Sequence, residues 1–334
     1  MKRNVLVLAV LAGLVAAAPV SAQDLAQPVC PNGSSVIDPQ RIAQDGCQQA
    51  YDLYRFMAPQ LGLALAGGNA ILGSGSTLGG LGHLSVGIRA NAFSGLLPDV
   101  TNFHQSSAGA QKNAALPTKD QFLGLPTADA AIGIFGGIPL PLTHVGGVDA
   151  LVSAAYVPTV TAGSFSITPS SNLQIGYGAR VGLLQESLVV PGVSVTFLKR
   201  DLPETSLSGT AGSNTLTVSK FKVETTAWRV TASKSFILFS LAAGAGQDKY
   251  DQSAAAITGT VSGVTASVPA NQLTIPTMTR TNYFADAALD LPLFKVVGEL
   301  GQVSGGTVQT YNGFAGGRGD RSQVYFSVGL RLGW

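Results

Sequence analysis

The chain has 334 residues, of which only 11% are charged and 41 are glycine, and its mean hydropathy is +0.30. Typical globular chains carry about 25% charged residues, so this composition fits an ordinary water-soluble domain poorly. The formal net charge of +2 offers no bulk attraction to nucleic acid or other polyanions.

Lys2 and Arg3 precede an apolar stretch from Val5 to Val20, and Val20-Ser21-Ala22 follows. A basic start, an apolar middle and a small-residue cleavage site predict a secretory signal peptide over residues 1–22. Its removal before Gln23 takes Lys2 and Arg3, leaving 18 basic residues against 18 acidic ones. Cys30 and Cys47, the two cysteines of the chain, are expected to pair as a disulfide after export.

Residues 23–77 read as a separate N-terminal segment. Asp38-Pro39 supplies a helix cap and a proline at the first helical position. Ile42, Cys47, Tyr51, Tyr54 and Met57 follow at roughly helical spacing, and Pro59 is expected to end the helix. The uncharged, glycine-rich run after it fits either an extra hairpin or a compact segment at or inside the barrel's periplasmic mouth, so the helical segment is expected to be periplasmic or a plug.

From Gly82 onward the period becomes two. In "HLSVGIRANAF" (83–93), Leu84, Val86, Ile88, Ala90 and Ala92 share one face, and His83, Ser85, Gly87, Arg89 and Asn91 share the other. Similar ladders follow near 127–138, 145–156, 173–185, 193–202, 218–232, 237–249, 280–291, 294–304 and 323–334. Each is close to the 9–11 residues that cross a bilayer at a tilt. No uncharged apolar run beyond the leader reaches the length of a membrane helix. An average this apolar without helical spans predicts an all-β, up-and-down antiparallel transmembrane barrel over 78–334, because only a closed barrel satisfies the strand backbone in lipid. Ten strands are expected, or twelve if 61–75 forms a hairpin. Short connections alternate with long ones rich in Ser, Thr, Gly, Asn and Pro, as in barrels with periplasmic turns and outer loops.

The last ladder runs to the C-terminal residue. Val324, Phe326, Val328, Leu330, Leu332 and Trp334 alternate with smaller or more polar residues. In this the chain resembles bacterial outer-membrane barrel proteins, whose last strand commonly alternates apolar residues and ends in an aromatic. The resemblance implies an outer-membrane location, lipid as a partner, and an insertion signal at Phe326, Leu330, Leu332 and Trp334 read by the barrel-assembly machinery. The Gly68-Asn69-Ala70 stretch and the glycines after it also resemble the hatch of long-chain fatty-acid transporters. Those barrels have fourteen strands and usually Asn-Pro-Ala where this chain has Asn69-Ala70. That likeness implies transport of hydrophobic molecules.

The polar strand faces place Arg89, Asp129, Asp149, Arg180, Arg229, Asp286, Glu299 and Arg331 in the lumen, with Lys295 near the periplasmic rim. Ten strands enclose little more space than the eight that side chains fill. These mixed charges therefore suit an internal ion-pair network or a narrow polar conduit. Arg331 is expected to reach Glu299 on the preceding strand. His83, His104 and His144 fall at different levels, and no G-x-S-x-G, H-E-x-x-H or phosphate-loop pattern occurs. The reading is a non-enzyme with no cofactor and no metal: a structural barrel or a narrow pore for small solutes. Adhesion through long outer loops is the alternative, and "GGRGDR" (316–321) places an Arg-Gly-Asp tripeptide in the last of them.

Overall fold

A computed structural model describes residues 25–31, 38–71, 73–112, 115–273 and 276–333. The expected signal peptide and Trp334 lie outside the described residues. Ten long strands appear in chain order: β1 (Leu84–Pro98), β2 (Thr118–Phe135), β3 (Val148–Tyr156), β4 (Leu173–Leu184), β5 (Gly192–Asp201), β6 (Asn214–Ser235), β7 (Phe239–Ser253), β8 (Met278–Asp290), β9 (Lys295–Val303) and β10 (Gln323–Gly333). Each pairs antiparallel with the next, and β10 returns to β1, with Val86 opposite Leu332 and Ile88 opposite Leu330. The cylinder is closed and has no free edge.

Alternation decides what each face meets. Ile88, Ile175, Val181, Phe197, Val230, Leu300, Val328 and Leu330 are all exposed on the outer wall, while the alternate residues turn inward and are buried. A closed cylinder with an apolar outer belt is a transmembrane barrel of the outer-membrane class. No helix among the described residues is long and apolar enough to cross a membrane.

The strands extend further than their ladders suggest. β2 has 18 residues and β6 has 22, against the 9–11 that a bilayer requires. Their surplus lies at the long-loop end. There the top of β6 joins short strands at Val160–Ala162, Phe165–Pro169, Thr205–Ala211, Ala256–Val261 and Val264–Pro269 in a sheet above the membrane. Serine, threonine and glycine make these segments look like loops, yet their inward apolar residues, such as Phe165, Ile167, Leu207, Val218 and Ile257, are buried.

The described residues of the N-terminal segment fill the barrel and make no hairpin, and the wall they sit in has ten strands. Helix α1 (Asp38–Ala66) continues through Pro59 for another turn and more. Proline deletes one helical hydrogen bond, but burial on all sides keeps the helix intact: nearly every residue from Ile42 to Ala66 is inaccessible. Its apolar residues pack with the upper sheet and the outer loops in the largest core of the molecule, which includes Tyr54, Met57, Phe103, Phe165, Leu207 and Phe221. At about 1.5 Å per residue, the helix is long enough to run from the outer sheet into the lumen.

Residues 67–82 then descend to the short-turn end, where β1 starts at Leu84. Leu25 lies at the opposite end, its N–H donating to the carbonyl of Thr310 in the last long loop (3.2 Å). With short turns on the periplasmic side, the start of the described chain is on the outer side. Of the two placements expected for the helical segment before β1, periplasmic or plug, its described residues adopt the plug. Cys30 and Cys47 form a disulfide with their Cα atoms 5.9 Å apart, against Val268 of the upper sheet.

Candidate functional site: the plugged lumen

The site is the inner wall and the segment it holds. Arg180 and Asp149 sit directly opposite each other on β4 and β3 and pair at 2.6 Å. Arg89 on β1 pairs with Asp129 on β2 at 2.6 Å. Arg229 on β6 reaches Asp248 on β7 at 3.1 Å. These residues are between 0% and 8% exposed at their side chains, so each charge is buried beside an opposite one.

The same groups also hold the plug, chiefly through its main chain. Arg200 donates to the carbonyl of Leu65 (3.1 Å), and Arg89 to that of Gly67 (2.9 Å). Arg229 spans the carbonyls of Ala66 and Gly68, both at 2.6 Å. Lower down the polarity reverses. Glu299 accepts the N–H of Asn69 (3.0 Å), Asp286 that of Gly73 (2.9 Å), and Asp149 that of Leu78 (3.1 Å). Near the short-turn end, the Thr77 hydroxyl donates to Gln185 at 2.8 Å, and the Glu186 N–H donates to the Ser76 hydroxyl at 2.9 Å. Beside Ala70, Ile71 and Arg89 the free space is only ≈ 20 Å³, about the room of one water molecule.

Asp286 and Glu299 face each other in register on β8 and β9. Two carboxylates opposite one another are unfavourable alone, and each here takes an N–H from the plug. Arg331 has Lys295 opposite it in the register, while Glu299 has Ser327. Arg331 donates to the Ser85 hydroxyl at 2.7 Å, and Glu299 turns to the plug, which corrects the expected Arg331–Glu299 contact. Lys295 pairs with Asp290 at the short-turn end (2.8 Å). Phe326, Leu330 and Leu332 are exposed on the outer wall, whereas Tyr325 turns inward and donates to Asn282 at 2.9 Å.

Arg200, Asp248 and Arg280, all buried, are absent from the sequence-based set. Their signal is parity. Arg200 shares its face with Ser194 and Thr196, but "KRD" (199–201) reads as the polar end of a strand.

Above the membrane, α1 docks on the loops through polar groups. Asp52 accepts the N–H groups of Tyr311 (2.8 Å) and Asn312 (2.9 Å), and Asp45 accepts that of Ser106 (2.7 Å). Burial pushes Asp52 up to about 7 and Asp45 up to about 6, against the backbone donors that favour the ionised form. In the Arg-Gly-Asp tripeptide, Asp320 is 1% exposed and pairs with Arg318 at 2.7 Å. Its carboxylate is used internally and is not presented to another protein. Among the described residues, no group of three or more His, Cys, Asp or Glu could hold a metal ion.

No family model and no curated protein matches the chain. Solved structures match only in part. An outer membrane channel from Pseudomonas putida F1 is 9% identical, with 78% of this chain and 98% of that one covered, at a TM-score of 0.36. OmpT, an outer membrane protein of Vibrio cholerae, is 10% identical over 75% of this chain and 97% of that one, at 0.22. The toluene transporter TodX of Pseudomonas putida is 10% identical over 75% and 88%, at 0.27. Likenesses this distant carry no activity to this chain. The assignment to the outer-membrane barrel class rests on the closed cylinder and its apolar belt.

Proposed function

We propose that the protein is a narrow pore of the outer membrane, held shut by its own N-terminal segment, which passes small polar solutes when residues 67–80 leave the lumen. The observation that carries this reading is where the wall charges go. Arg229, Arg200, Glu299 and Asp286 contact the plug's main chain, so its departure would expose a polar, hydratable bore. A wall built only to hold its own shape would stop at pairing its charges with one another, whereas Arg229 pairs with Asp248 and still donates to two plug carbonyls. Export by a cleaved signal peptide, insertion by the barrel-assembly machinery through the β10 residues, and a surround of outer-membrane lipid belong to the same proposal.

The upper sheet supports a second reading, recognition at the cell surface, because it presents a rigid ledge packed on α1. Planar-bilayer recording separates the two. The pore reading expects a quiet wild type, and discrete conductance steps in Asp149→Asn, which weakens the hold on Leu78. Silence from both proteins, with ligand or cell binding through the upper sheet, overturns the pore. Steps blocked by apolar molecules but indifferent to small ions would favour transport of hydrophobic compounds instead.

A further inference from the structure

We propose that the lumen is a binding tunnel for a glycine-rich polypeptide, with the described residues of 67–80 and the last turn of α1 as its resident occupant. The inference rests on the plugged-pore reading for what the tunnel closes, and adds what the emptied tunnel takes.

The chemistry of recognition is that of a peptide main chain. In the upper part of the lumen, arginines meet successive carbonyls, those of Leu65, Ala66, Gly67 and Gly68. In the lower part, carboxylates meet the amides of Asn69, Gly73 and Leu78, and the Ser233 hydroxyl accepts that of Gly75 at 2.8 Å. All these plug atoms exist in any polypeptide. The side chains of the segment add Ser76 and Thr77 at the rim and Ile71, which packs with Ala131, Leu151 and Leu198 of the wall.

Selectivity comes from the close approach of the wall. A Cβ on Gly67 would meet the side-chain amide of Asn91, and one on Gly75 would lie 2.8 Å from both the backbone carbonyl oxygen of Gly192 and the backbone nitrogen of Ser233. Such contacts are far inside van der Waals distance. The tunnel therefore admits glycine at position 75, where the peptide meets strand backbone that cannot give way, and excludes ordinary residues there.

The wall is also incomplete without a donor-bearing guest. Asp286 and Glu299 are each 3% exposed and stand opposite each other. Each gives one oxygen to a plug amide, Glu299 to that of Asn69 and Asp286 to that of Gly73, and loses that donor when the plug leaves. An acidic pair in this position suits an occupant that offers N–H groups, which a peptide does and a simple anion or sugar ring does less regularly.

The test uses the full chain with a protease site inserted between Gly82 and His83, which are exposed at the short-turn end. Cleavage after folding makes the plug a separate chain, since its disulfide joins only plug residues. The plug is released with mild urea, and retention of the barrel is read by gel mobility. A fluorescent peptide of residues 64–80 should then bind, and displaced plug should compete with it. Sarcosine in place of Gly73 and Gly75 removes two N–H donors and should weaken binding at least tenfold. Alanine in place of Ser74, whose hydroxyl donates to the segment's own Ser76 carbonyl, should change it less than threefold. Failure of the parent peptide to bind, or equal binding by the sarcosine peptide, overturns the proposal. Conductance recorded on the same preparation keeps the two readings apart. A barrel that conducts but ignores the peptide removes the tunnel and leaves the pore, and one that binds the peptide but never conducts does the reverse. If the emptied barrel unfolds, the uncut chain decides: Asp286→Asn and Asp149→Asn should speed amide exchange at Gly73 and Leu78 by tenfold or more. Unchanged exchange in both overturns the proposal.

Discussion

The guanidinium of Arg229 lies 2.6 Å from the carbonyl oxygen of Gly68, so a barrel strand and the N-terminal plug share one buried charge. The same group holds Ala66 and Asp248 and stands over the ring of Phe284, 6.0 Å from its centroid. Removing one member of a buried pair strands the other, at a cost of about 3–5 kcal/mol. Arg229→Ala should lose stability of that order. Arg229→Lys, which keeps the charge but not the forked donors, should fall between. Urea midpoints in detergent or vesicles measure both. A wild-type midpoint for Arg229→Ala would show that Asp248 and the plug carbonyls do not depend on it.

The docking of α1 on the outer loops should weaken as pH rises. Asp52 and Asp45 bind a proton more tightly when docked than when free, because burial raises them to about 7 and about 6. Raised acids contribute their full stability below about pH 4, the ordinary carboxyl range. They lose it as pH climbs through 6 and 7. Amide exchange at Tyr311 and Asn312, corrected for its intrinsic pH dependence, should therefore quicken between pH 5 and pH 8. Asp52→Asn should flatten most of that change. Faster corrected exchange on acidification would reverse the sign and refute it.

The outer wall should resist charge while the inner wall requires it. Val328 is 56% exposed on the lipid face of β10, so Val328→Arg should cost about 2–4 kcal/mol near mid-membrane. A spin label at Ile175 or Ala179 should be quenched by a lipid-soluble relaxation agent. Water-accessible spectra at both positions would mean that the faces are exchanged.

Closure depends on the end of β10. Leu332 opposes Val86 and Gly333 opposes Ser85 at the seam. Deleting 332–334 should reduce folded yield far more than deleting Ala315–Gly317 in the last outer loop. Heat-modifiable gel mobility reads this directly, since closed barrels migrate as compact species until boiled. Equal yields from the two deletions would show that the seam forms without these residues.

The strict period of two, the alternation of short and long connections and the scarcity of charge were enough, in sequence, for a ten-stranded barrel and for the inward turn of Arg89, Arg180 and Arg229. These are local properties: a side chain's face follows from its parity along a strand, and lipid tolerates only a closed ladder. The plug was not legible in the same way. Residues 67–80 carry glycine and small polar groups with no period, because their partners are Arg229, Glu299 and Asp286, which lie 150 or more positions away. Pro59 looked like the end of a helix since propensity sees only neighbours, whereas enclosure by the upper sheet carries α1 on to Ala66. The side of the membrane on which α1 sits was likewise a tertiary decision. It depends on which cavity is large and apolar enough to bury a helix on every side, and that cavity forms only when distant loops assemble above the barrel.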